Sequence, residues 1–191
     1  MPSYRDIVYS IYGALRLARL DPGAMSYFER TPAGFWKSFF AAAIVAPGFA
    51  IIIAYELGRV EIEIEAGALR VFLVETLAYV LGWVAFPVLV HQICEATGKR
   101  DAYIGYIVAF NWSKVIQMAV LLPSIGLIAL GAPNGDGGWM LRLAVSFLIL
   151  FYEWFITRTA LGVTAMGAAG FVMLDFVIDL ISHMITLGML R

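Results

Sequence analysis

Charge is scarce in this chain. Only 14% of its 191 residues are Asp, Glu, Lys or Arg, against roughly a quarter in soluble domains. That shortage excludes an ordinary solvated surface. Neither sign is in excess, with 13 basic and 14 acidic side chains, so there is no electrostatic footprint of a nucleic-acid partner. Cysteine occurs once, as Cys94, which rules out an intrachain disulfide and a multi-cysteine metal site. Its simplest role is that of a small apolar residue near a helix end. Gly-x-Ser-x-Gly, His-Glu-x-x-His and P-loop motifs are all missing, so nothing points to an enzyme. A secretory leader is missing too. Residues 1–35 mix Arg5, Asp6, Arg16, Arg19, Asp21, Glu29 and Arg30 with hydrophobes, and the first long apolar run begins at Trp36.

What fills the chain is apolar. Hydrophobic residues make up 62% and the mean hydropathy is +0.86, the signature of an all-α integral membrane helix bundle. Five runs suit membrane spans: about Trp36–Leu57, Ala68–Ile93, Tyr103–Leu130, Trp139–Ile156 and Phe171–Leu190, most of them at or beyond the ~20 residues a crossing needs. Residues 36–191 therefore read as a five-span transmembrane bundle and residues 1–35 as a segment before it. Five Trp, nine Tyr and thirteen Phe suit anchors at both membrane faces.

Ser3–Leu20 predicts a helix. Ser3 and Asp6 stand three apart, as in a capping box, and Ile7, Val8, Ile11, Tyr12 and Leu15 share a face while Arg5, Arg16 and Arg19 lie mostly off it. Such a basic amphipathic helix lies in the headgroup region or packs on the end of the bundle. Asp21-Pro22-Gly23 and Thr31-Pro32-Ala33-Gly34 break the chain before the first span. After it, Arg59-Val60-Glu61-Ile62-Glu63-Ile64-Glu65 alternates acid and apolar. The period suits a short hairpin strand or a cation-collecting edge, though a solvated loop whose acids discourage aggregation is the simpler account. Gly131–Gly138 is a loop. The small residues Gly162, Ala165, Gly167, Ala168, Ala169 and Gly170 predict close helix–helix approach.

Lys and Arg in the short loops set orientation. Arg5, Arg16, Arg19, Arg30, Lys37, Lys99, Arg100 and Arg158 fall on one side, and Arg59, Arg70 and Arg191 on the other. The expectation is a cytoplasmic N-terminus and a periplasmic C-terminus in a bacterial inner membrane.

The last span carries Asp175, Asp179 and His183 four apart, so they stack as one polar stripe on an apolar helix. Other ionisable residues sit within the spans: Glu75, Lys114, Arg142 and Glu153. Such groups need partners or a wet cavity. At ~1.5 Å of rise per residue, Lys114 matches Glu153 or Asp175 in depth, while Arg142 matches Asp179 and His183, with Glu75 near them. A polar seam among spans two to five follows. Acids and bases balance along it, which favours helix-docking ion pairs over a proton or cation path. The stripe spreads three ligands over about two turns, too far for one metal ion without help. His91 and His183 lie near opposite membrane faces and cannot share a haem. A retinal Schiff base on Lys114 is a poor fit to five spans and a mid-chain lysine. No cofactor is implied.

The order of elements resembles the Yip-type family of five-span membrane proteins, especially its bacterial members. The resemblance rests on Leu17-Ala18-Arg19-Leu20-Asp21-Pro22-Gly23-Ala24-Met25-Ser26-Tyr27-Phe28, on Thr31-Pro32-Ala33-Gly34-Phe35-Trp36-Lys37, on Tyr106–Pro123 and on Leu161-Gly162-Val163-Thr164-Ala165. It implies a non-enzymatic, membrane-organising or partner-binding protein whose partners are the lipid bilayer and a second copy or another membrane protein. Eukaryotic members are linked to trafficking and small-GTPase binding. Asp175, Asp179, His183 and Lys114 belong to no pattern carried over from that family.

Overall fold

The computed structural model describes residues 1–58, 67–133 and 135–190. In chain order it has α1 (Tyr4–Ala18), a 3-10 turn (Pro22–Tyr27), α2 (Pro32–Ser38), α3 (Phe40–Leu57), α4 (Ala68–Ala96), α5 (Arg100–Ala129), α6 (Gly137–Leu161) and α7 (Ala165–Leu190). No strand occurs among the described residues. Five helical stretches are long and apolar enough to cross a membrane, the first running through α2 and α3 from Pro32 to Leu57. The protein is thus an all-α, multi-pass membrane bundle. The acidic alternation at 59–65, Asn134 and Arg191 lie outside the described residues.

Local chemistry explains the boundaries. Ser3 Oγ accepts from the Asp6 N–H at 3.2 Å and Asp6 Oδ2 accepts from the Ser3 N–H at 2.9 Å, so the capping box starts α1. The span begins at Pro32 rather than Trp36 because Thr31 Oγ1 accepts from the Gly34 N–H at 3.1 Å, with Pro32 in the first turn, where its missing donor costs nothing. At the end of α6, Gly162 takes φ +59° and closes the helix in the left-handed region.

The small-residue stretch packs through Ala168, which is fully buried where α7 meets the bundle; its other members shape the turn. Gly162 turns the chain, and Thr164 caps α7 by accepting from the Gly167 N–H at 3.1 Å. Gly170 has open space around it. A further tight contact is at Gly48 on α3, where an added Cβ would lie 2.6 Å from Met118 Sδ of α5.

Helix α5 is the hub, touching α1, α2, α3, α4 and α6, while α7 closes the ring against α4 and α6. That position accounts for its polar flecks. Every residue from Gly105 to Ser113 is buried, and the polar ones find partners within the protein. Asn111 Nδ2 donates to Ser38 Oγ at 2.9 Å, and Tyr106 Oη and Thr157 Oγ1 share a 3.0 Å hydrogen bond. Among the described residues, no fully buried side-chain polar atom lacks a partner, as a low-dielectric interior requires. Apolar side chains such as Phe72, Leu73, Leu77 and Leu81 of α4 stay exposed and form the lipid face.

The dense core lies at the α1 end. Leu17, Met25, Phe28, Phe86, Val90, Cys94, Ile107 and Ile156 are buried there in one cluster. Helix α1 presses Ser10, Gly13, Ala14 and Leu17 onto the bundle, and Tyr152 Oη donates to the Ala14 carbonyl at 2.6 Å. It keeps a second apolar strip, Tyr4, Val8 and Leu15, exposed beside Arg5 and Arg19. One face of the helix thus packs on the bundle and the other is left exposed.

A three-residue clamp fixes the base of α1. Lys37 Nζ lies 3.1 Å from Asp6 Oδ2 and 2.9 Å from Glu29 Oε2. The Ser3 N–H and then Lys37 hold the Asp6 carboxyl below its ordinary range, while Lys37 and then Thr31 do the same for Glu29. Carboxyls depressed in the fold stabilise it above their unfolded pKa of about 4 and stop doing so as pH falls through the folded value. Protease cleavage within residues 3–31 is therefore expected to be steady from pH 5 to 8 and to rise below about pH 4. Gly34→Ala would place a Cβ 2.0 Å from the Glu29 carbonyl oxygen. It should cost about 1–3 kcal/mol, read as a lowered thermal midpoint in detergent.

Candidate functional site: a charged cavity within the bundle

Lys114 stands in the middle of α5, where an ammonium ion is costly to desolvate. Its Nζ donates to Glu153 Oε1 of α6 at 2.8 Å and to Asp175 Oδ2 of α7 at 3.1 Å. The two carboxylates offered as alternative partners by depth are both partners. Glu153 Oε1 also accepts from Gln117 Nε2 at 3.1 Å, and Lys114 Nζ lies 4.4 Å from the centroid of the Phe110 ring. The Glu153 and Asp175 side chains are 4% and 9% exposed, but that of Lys114 is 24% exposed. The remaining access is into a cavity.

That cavity, about 450 Å³, lies among α3, α4, α5, α6 and α7. Phe110 and Pro87 line it toward α1, and Ile53, Glu75 and Thr186 line it near the other end of the spans. It therefore occupies the middle of the bundle and the half remote from α1. Asp175, Asp179 and His183 all line it, so the stripe on α7 shares one face, buried at Asp175 and exposed at Asp179 and His183. Glu75 of α4 lines the same wall and is close enough to His183 for their charges to interact.

Arg142 is the exception. It is absent from the cavity lining and pairs with Glu56 in the last turn of α3, not with Asp179. The reason is access. Both groups are at least one-third exposed, and a long guanidinium near the start of α6 reaches a wet carboxylate without desolvating either partner. Its departure upsets the balance of acids and bases read from the sequence. Four carboxylates (Glu75, Glu153, Asp175, Asp179) share the cavity with one lysine and His183. A cleft with an excess of one sign attracts the opposite charge.

The aromatic wall was not singled out from the sequence. Tyr79 and Trp83 of α4 line the cavity one and two turns beyond Glu75, with Tyr79 and Trp83 ring centroids 6.1 Å apart. Tyr79 is fixed by donating its hydroxyl to the Ala42 carbonyl at 2.6 Å. The signal was present, since Glu75, Tyr79 and Trp83 repeat at intervals of four. Phe110 and Lys114 show the same interval on α5.

Toward α1 the cavity ends on packed rings. Phe86 and Phe110 stack with centroids 4.4 Å apart, and Tyr106 lies 6.3 Å from Phe86 and 6.0 Å from Phe171. Phe86 and Tyr106 are fully buried. Comparison with protein-family models, curated proteins and solved structures finds no match to this chain.

Lys114→Met leaves Glu153 and Asp175 buried and uncompensated. The expected loss is about 3–5 kcal/mol, measured by denaturation in detergent. The triple variant K114M/E153Q/D175N should recover much of it, because no buried charge is left without a partner.

Proposed function

We propose that the protein is a small proton- or cation-moving membrane protein that uses the cavity as its binding chamber. The observation that supports this best is the charge composition of the chamber: Glu75, Glu153, Asp175 and Asp179 against Lys114, with His183 alongside. Carboxylates and an imidazole inside a span are the groups used to hand on protons or hold cations. The Lys114 triad is the inner station. Asp179 is the next one, about one helical turn away on α7, and His183 and Glu75 form a third level. Access is from the side opposite α1, which basic-residue placement puts outside an inner membrane, with the N-terminus in the cytoplasm. The stacked rings beneath Phe110 act as the barrier that must part for passage.

A second reading is a membrane-organising or partner-binding protein of the Yip-like kind. In it, the triad only docks α5, α6 and α7. The full pairing of Lys114 with two carboxylates favours it, since a satisfied network has no need of a ligand.

Asp179→Asn distinguishes the readings, because Asp179 makes no ion pair among the described residues and its loss should spare the fold. Purified protein in liposomes with an imposed pH or potassium gradient should show flux above empty vesicles. Asp179→Asn should lower that flux about tenfold with the thermal midpoint unchanged, as expected for loss of a charged contact. Absence of flux in the wild type, or equal flux in the variant, leaves the organising reading.

A further inference from the structure

The Lys114 side chain shows what kind of ion the cavity accommodates. Its ammonium is held by two carboxylates and lies on the face of an aromatic ring, at 2.8, 3.1 and 4.4 Å. Farther from α1, the outer level of the cavity carries the same kinds of group: the Asp179 carboxylate one turn beyond Asp175, the Glu75 carboxylate beside His183 beyond that, and the rings of Tyr79, Trp83, Phe49 and Phe176 in the lining. Arg142 is committed to Glu56.

We infer that this level binds an organic ammonium ion, a primary amine or a small alkylammonium. The inference rests on the cavity being a cation site, as proposed above, and names the class of cation. Three features select it over a bare metal ion or a proton alone. Aromatic faces attract the ammonium charge and also cover the alkyl chain, which a hydrated inorganic ion does not have. A volume of about 450 Å³ falls in the range of small-molecule sites. Among the described residues, no three His, Cys, Asp or Glu side chains gather closely enough to ligate a metal. In this arrangement Lys114 acts as a tethered neighbour whose own pairing keeps the deepest carboxylates from capturing the ligand irreversibly.

The test uses the full-length protein in lipid nanodiscs and follows its thermal midpoint with n-butylammonium, n-butanol and sodium as probes. Butylammonium should raise the midpoint saturably, and neither butanol nor sodium at equal concentration should do so. E75Q/D179N should weaken the apparent affinity about tenfold or more. Trp83→Leu, which leaves every charge in place, should weaken it several-fold and covers the case in which the double variant fails to fold. A butylammonium effect no larger than that of sodium overturns the inference, as does full retention of the effect in both variants. The two proposals fail separately. Proton or potassium flux without butylammonium selectivity sinks only the ligand class. Saturable binding in a protein that shows no flux sinks only transport.

Discussion

A single ammonium ion inside the bundle determines how three of the helices meet. Burying Lys114 unpaired is prohibitively costly, and burying Glu153 or Asp175 alone is equally so. With both carboxylates within 3.1 Å of the Lys114 ammonium, the three groups are tolerable only while α5, α6 and α7 hold this register. Apolar packing in lipid gives little such discrimination, because one leucine face is as good as another where no water drives burial. The triad therefore acts as the specifying contact of the bundle, and Gln117 adds a further hydrogen bond to it. It also leaves one more carboxylate than cation.

The remainder of the structure is arranged around that excess. Toward α1 the interior is dry and closely packed, with Phe86, Tyr106, Ile107 and Ile156 essentially inaccessible. Away from α1, the helices leave a chamber in which Asp179, Glu75 and His183 line the wall. The density of the α1 end has identifiable contributors. Helix α1, the 3-10 turn and α2 add Leu17, Met25 and Phe28 to the core there, and no comparable cap covers the opposite end among the described residues. Among the described residues the bundle is closely packed at the α1 end and leaves its charged cavity toward the other.

The N-terminal segment thus has two jobs. Its buried face completes the core, through Ala14 and Leu17, while its outer strip with Arg5 and Arg19 suits the headgroup layer. Lys37 ties it down by bridging Asp6 and Glu29. The clamp joins α1, the segment before α2 and the first turns of the first span.

The sequence by itself determined the five spans, the N-terminal helix and much of the charged lining. Apolar runs of span length, the Ser3–Asp6 box and the stripe of Asp175, Asp179 and His183 follow from periodicity and capping, which act between near neighbours in the chain. Depth matching along straight helices also brought Lys114 to Glu153 and Asp175. It misassigned Arg142, because depth says nothing of direction around a helix axis, and Glu56 at the end of α3 was the wetter partner. Only the tertiary structure decided that Tyr79 and Trp83 line the cavity with the acids, that Gly48 meets Met118, and that a cavity exists. Each depends on how helices rotate and lean against one another, a property of side-chain fit across elements that no single helix encodes.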